Sequence, residues 1–185
     1  MKTILAVTFA MLMIGAEQTL AESPPPQWFL EEIRLLTSGS GRWEADNTAY
    51  KDDEEPFDVY VTEWRSSFNG MTMTGRLFGV ADGKESPTFW EFRHYWHPAR
   101  QEVVIEQFGR GGVVGTGTMW REGATTVSDQ EFSAPDGRQW RAGHRSDFPD
   151  GATHVTDSFD ITDGQWIGRR SYTWKEFRPP ENSDL

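Results

Sequence analysis

The chain has 185 residues, no cysteine, nine tryptophans, eighteen glycines and a formal net charge of −11 at pH 7. That is the length of one domain, and the missing thiols exclude a disulfide framework, a cysteine nucleophile and a thiolate metal site. So acidic a chain argues against a nucleic-acid partner and against attraction to an anionic membrane surface.

The first segment, residues 1–21, has the layout of a secretory signal peptide. Lys2 precedes an apolar run from Ile4 to Ile14, and small residues lead to Ala21. The run is too short to span a bilayer. The expected mature protein starts at Glu22, is periplasmic or extracellular, and inserts in no membrane. Residues 22–38 read as a linker and an N-terminal helix. Pro24, Pro25 and Pro26 stiffen the lead-in, and "WFLEEIRLL" (28–36) puts Trp28, Ile33 and Leu36, with Leu30 and Leu35, near one helical stripe. The predicted helix over 27–36 would lid or plug one end of the domain.

Residues 39–178 carry no helical period. Turn signals recur instead about a dozen residues apart, among them Asn69-Gly70, Asp82-Gly83, Asp136-Gly137, Asp150-Gly151 and Asp163-Gly164. Asn and Asp tolerate, and Gly favours, the positive φ that tight hairpins need. The segments between them predict ten strands, near 41–49, 58–68, 71–81, 88–97, 101–109, 113–121, 124–134, 138–148, 152–161 and 165–177. Such a meander leaves two exposed edges unless it closes on itself. The expectation is an all-β, antiparallel up-and-down barrel of about ten strands, with residues 179–185 a disordered tail.

Alternation along each strand sorts the inside from the outside. "TFWEFRHYWHP" (88–98) puts Trp90, Phe92, His94 and Trp96 on one face and Glu91, Arg93 and Tyr95 on the other. The charged face belongs outside. By the same sorting Tyr60, Trp64 and Phe68 face in, as do Trp120, and Trp140 with His144 and Phe148. In the last strand Trp166, Arg170, Tyr172 and Trp174 share a face, placed inward for its rings.

Several motifs then resemble a known superfamily. Gly41-Arg42-Trp43 in "SGSGRWEA" looks like the Gly-x-Trp start of calycins, the lipocalins and fatty-acid-binding proteins. More narrowly, the chain is similar to an uncharacterised bacterial family of lipocalin-like barrels. The match rests on Gly41-Arg42-Trp43-Glu44, Thr62-Glu63-Trp64-Arg65 with Asn69-Gly70, Trp96-His97-Pro98, "GTGTMW" (115–120) and Pro135-Asp136-Gly137. It spans roughly 39–177, with His97 where that family has Asp. The resemblance implies a barrel with an interior cavity and no known reaction. It also implies that Trp43 closes one barrel end against a basic residue from late in the chain, Arg170 or Arg178.

The candidate ligand-binding set is therefore Tyr60, Trp64, Trp90, Phe92, His94, Trp96, Trp120, Trp140, His144, Tyr172 and Trp174. These rings either fill the barrel or line a cavity for a small apolar or aromatic molecule; both readings stand at this point. His94 and His144 are the polar groups expected to point inward, as satisfied core histidines, as ligand-orienting groups, or as acid/base residues of an enzyme. Catalytic signatures are lacking. No Gly-x-Ser-x-Gly is present, "GRGGVVGTG" (109–117) lacks the lysine of a phosphate loop, and no close-spaced ligand set predicts a metal. No cofactor is expected.

Overall fold

Strands with a two-residue alternation, joined by turns whose residues accept positive φ, close here into a ten-stranded antiparallel barrel. The computed structural model describes residues 24–178; the expected signal peptide and the expected tail lie outside the described residues. A helix, α1 (Gln27–Leu36), precedes β1 (Arg42–Asp46) and a 3-10 turn (Thr48–Tyr50). Then come β2 (Val59–Ser67), β3 (Thr72–Ala81), β4 (Lys84–Glu85), β5 (Trp90–His97) and β6 (Glu102–Gly109). The chain continues through β7 (Val113–Glu122), β8 (Thr125–Ser133), β9 (Gln139–Asp150), β10 (Thr153–Thr162) and β11 (Gln165–Glu176). Each expected strand is present. The extra β4 is a two-residue spur paired only to β3.

Every barrel strand pairs with its chain neighbour, and the ring closes where β1 meets β11. This seam has the shortest register in the barrel, Trp43 opposite Glu176 and Glu44 opposite Lys175. Asn69, Asp82 and Asp163 adopt positive φ in their turns, as expected from the Asn-Gly and Asp-Gly pairs. Phe68 does too, at φ 50°, and this takes it off the end of β2. It does not face inward as the alternation predicts but lies 79 % exposed.

Helix α1 closes one end of the barrel, the floor. Its buried residues are Phe29, Glu32, Ile33 and Leu36, spaced i, i+3, i+4 and i+7. The stripe is thus rotated from the expected one: Trp28, Leu30 and Leu35 are only half-buried and flank it. Burying Phe29, Ile33 and Leu36 contributes on the order of 1.5–3 kcal/mol each. The last carbonyls of the helix are met by side-chain donors, in addition to the backbone N–H groups of Thr37 and Ser38 on Ile33 and Leu35. Thr37 Oγ1 bonds the Ile33 carbonyl, Ser38 Oγ that of Leu35, and the Trp43 indole that of Leu36.

Gly41 turns the chain from helix into barrel. Its φ is 66°, and a Cβ there would sit 2.2 Å from the Trp64 carbonyl oxygen. Only glycine allows the close approach that lets the Trp64 N–H bond the Gly41 carbonyl at 2.8 Å.

Candidate functional site

Above the helix the barrel holds a cavity of about 770 Å³, so its own rings do not fill it. Nine of the eleven residues proposed from sequence line this space: Tyr60, Trp64, Trp90, Phe92, His94, Trp140, His144, Tyr172 and Trp174. The other two are corrections. Trp96 is on the inward face but packs against the buried core cluster instead of lining the cavity. Trp120 faces out, because β7 turns Gly115 and Met119 inward, and its indole donates to Glu122 at 2.9 Å.

Trp166 is a third correction, from the wider face assignment. The register of β10 and β11 shifts between Ser158 and Phe159, where Arg169 is the unpaired extra residue. This bulge reverses the alternation before it. Arg170, Tyr172 and Trp174 therefore face in, while Trp166 lies on the outer wall across Gly143 and beneath the Arg145 guanidinium.

The aromatic walls are built from paired rings. Trp64 stacks on Phe92 with centroids 5.3 Å apart, and Phe132 stacks on Trp140 at the same spacing. Trp64 takes its place because Gly75 faces it across the hairpin: a Cβ there would meet the indole at 2.5 Å. Phe57, from the loop after β1, covers the mouth against Phe89 at 5.0 Å.

Polar groups are set among these rings, and sequence reasoning found only part of them. Thr126, Ser128, Gln130, Ser146, Thr156 and His154 all line the cavity. So does Glu32, whose carboxylate accepts a 2.6 Å bond from Thr126 Oγ1, itself bonded by Arg121. Burial pushes the Glu32 carboxyl up to about 7, with the Thr126 bond and Arg121 opposing. A signal existed: Glu32 falls in the 29/32/33/36 stripe, where an acidic residue is unusual.

Three histidines face the interior as neutral imidazoles. Burial lowers His94 to about 3, His144 to about 4 and His154 to about 3, and His144 adds to the effect on His94 by charge repulsion. His154 stacks on Phe148 at 4.4 Å and shares a 2.5 Å hydrogen bond with Ser146. This pair has the hydrogen bond of a nucleophile with its base, and burial makes the His154 imidazole a weaker base than usual.

Other polar atoms of the lining residues are sealed in the wall without a partner. Neither ring nitrogen of His94 is bonded, nor is either amide atom of Gln130, nor the Trp64 indole N–H. All three side chains are more than nine-tenths buried. Each unpaired buried group costs about 1–3 kcal/mol.

At the mouth, Arg170 does not reach Trp43 as the resemblance implies. It grips Glu55 with both terminal nitrogens, at 2.6 and 2.9 Å, and lies over the Tyr50 ring. Tyr60 donates to the same carboxylate at 2.7 Å, and Tyr172 donates to Asn47 at 2.8 Å. The bond to Arg170 is the main cause holding the Glu55 carboxyl below its usual range. Arg178 pairs with Glu176. Trp43, fully buried at the floor, meets Phe148 and His154 edge-on instead of a basic residue. His97 keeps its turn by accepting the Arg100 N–H on Nδ1, as an Asp would on its carboxylate.

A second hollow, of about 370 Å³, lies on the outer wall of β3 and β5. Its charged lining includes the Arg76–Glu63 pair at 2.8 Å, and it reads as a shallow trough on the charged outer wall. Among the described residues no group of three or more His, Asp and Glu is placed to hold a metal ion. Nor is any described helix long and apolar enough to cross a membrane. No protein-family model matches the chain, and no curated protein is similar to it in sequence.

Proposed function

We propose that this chain is an exported barrel that binds a small apolar or aromatic molecule in its interior. The observation that carries the reading is the pairing of a cavity of about 770 Å³ with buried polar atoms on His94, Gln130 and Trp64 that lack partners. Aromatic walls with a few polar handles are the usual lining of a small-molecule site. A space this large among rings gains little from remaining empty. A ligand there would remove apolar surface from water and, with small rotations of these side chains toward it, satisfy the orphaned groups together.

Four of the lining residues are tryptophans (Trp64, Trp90, Trp140 and Trp174), so the protein can report its own occupancy. Titration with the neutral fluorophore N-phenyl-1-naphthylamine should quench them saturably at one probe per chain. Native mass spectrometry of the exported protein should find a small molecule carried along. A bare mass, together with no saturable binding of neutral apolar probes, would refute the reading in favour of a structural barrel.

A further inference from the structure

We propose, building on the ligand-binding reading above, that the cavity selects an uncharged ring system with a neutral edge that both donates and accepts hydrogen bonds. A carboxamide or lactam is such an edge, and it docks on Gln130 and His94 in the barrel interior.

The inventory of orphaned atoms sets this chemistry. Gln130 is 1 % exposed, and its amide offers donors on nitrogen and an acceptor on oxygen. A neutral His94 offers one donor and one acceptor, and Trp64 one donor. Some of the other interior groups answer one another. The Trp174 indole bonds Thr156, His154 bonds Ser146, and Glu32 takes the Thr126 hydroxyl. The fully buried atoms left without a partner are those of Gln130, His94 and Trp64. Trp64 and His94 are neighbours, with ring centroids 5.2 Å apart.

A ligand that only accepts, such as a carboxylate, would leave the Gln130 oxygen and one His94 nitrogen unpaired. It would also find no cation beside them. Burial keeps His94 and His144 neutral. Arg170 is held by Glu55, and Arg169 pairs with Asp160 at 3.4 Å. A ligand that only donates, such as an ammonium, meets the opposite shortage. The flat pairs Trp64–Phe92 and Phe132–Trp140 suit a planar ring on the same molecule. The competing arrangement is an anion held at the mouth by Arg110, which lines the cavity there.

The test is displacement of N-phenyl-1-naphthylamine from the full chain by three ligands that share one ring: naphthalene-2-carboxamide, 2-naphthoate and naphthalene. The carboxamide should compete at about one-tenth the concentration that either of the others needs. That margin should shrink to about twofold in Gln130→Leu and in His94→Phe, with thermal melts confirming that both variants fold. Equal competition by all three overturns the proposal while leaving the binding reading intact. Stronger competition by 2-naphthoate, abolished by Arg110→Gln, overturns it in favour of the anion at the mouth. Failure of the fluorophore itself to bind removes the ligand-binding reading, and this proposal with it. If a variant fails to fold, the wild-type comparison still decides.

Discussion

Trp43 donates its indole N–H to the Leu36 carbonyl across 3.0 Å, and this bond joins the barrel to the helix that floors it. The ring is fully buried, so its loss opens a cavity and strands a helix-end carbonyl together. Trp43→Ala should cost about 3–5 kcal/mol. Trp43→Phe keeps most of the ring and should cost clearly less, with the lost hydrogen bond accounting for about 1 kcal/mol. Chemical-denaturation midpoints check both; an unchanged Trp43→Ala midpoint would place the ring on the surface.

Stability should depend on pH through four interior groups. His94, His144 and His154 sit at about 3, 4 and 3 in the fold, against an ordinary 6.5. Their contribution is whole above 6.5 and is lost as pH falls toward those values. Glu32, raised from 4.5 to about 7, runs the other way: whole below 4.5 and lost as pH rises through 7. Between 4.5 and 6.5 the unfolded chain binds more protons, three histidines outweighing one carboxyl. Stability should therefore fall by about 2 kcal/mol per pH unit on acidification through that window. Urea midpoints at pH 5 and 7 check it. Glu32→Gln keeps an acceptor for Thr126 and, with Arg121 the nearby charge, should be stabilising at pH 8 and much less so at pH 4.

The clasp at the mouth should govern entry to the cavity more than stability. Arg170 and Glu55 are each about a third exposed, and solvent screens much of their attraction. Arg170→Met should lower stability by only about 1 kcal/mol. It should speed hydrogen exchange of the 47–57 loop and the association of a fluorescent probe. Stopped-flow binding that matches wild type would show that ligands enter without moving this loop.

His94 and its strand neighbours separate pocket from core. The ring nitrogens of His94 have no partner to strand, so His94→Ala should leave stability within about 1 kcal/mol while weakening probe binding. Glu91→Ala and Arg93→Ala, on the outer face of β5, should change neither by more than about 0.5 kcal/mol. Melting and titration of the three variants together check this; a large loss at Glu91 would turn the strand inside out.

The barrel was legible in the sequence because alternation and turn residues are local signals repeated ten times. Nine interior positions followed from them directly. What failed depended on longer-range facts. Trp120 looked inward because the glycines along β7 offer few side chains to sort. Trp166 was misplaced by one bulge residue, Arg169, that no turn signal announces. Glu32 drew no reading of its own, since nothing local says that its helix face meets Thr126 ninety-four residues away. The partner of Trp43 was sought in Arg170 or Arg178, but Arg170 lies at the opposite end of the barrel, tied to Glu55, and Arg178 pairs with Glu176.

The seam between β1 and β11 also sets the order in which the molecule can be completed. Trp43 and Glu176 meet there although 133 residues separate them, whereas every other barrel pairing joins chain neighbours. Hairpins can zip one after another from local contacts, but the last join needs the strand that leaves the ribosome last to find the one that left first. Until then the barrel is a curled, open sheet with two free edges. Side chains near the seam reinforce its two-residue ladder: Tyr50 accepts the Ser171 N–H at 2.9 Å, and Arg170 and Tyr172 bind Glu55 and Asn47. The clasp at the mouth is thus also the lock on assembly, and a chain that stops short of β11 has no barrel to close.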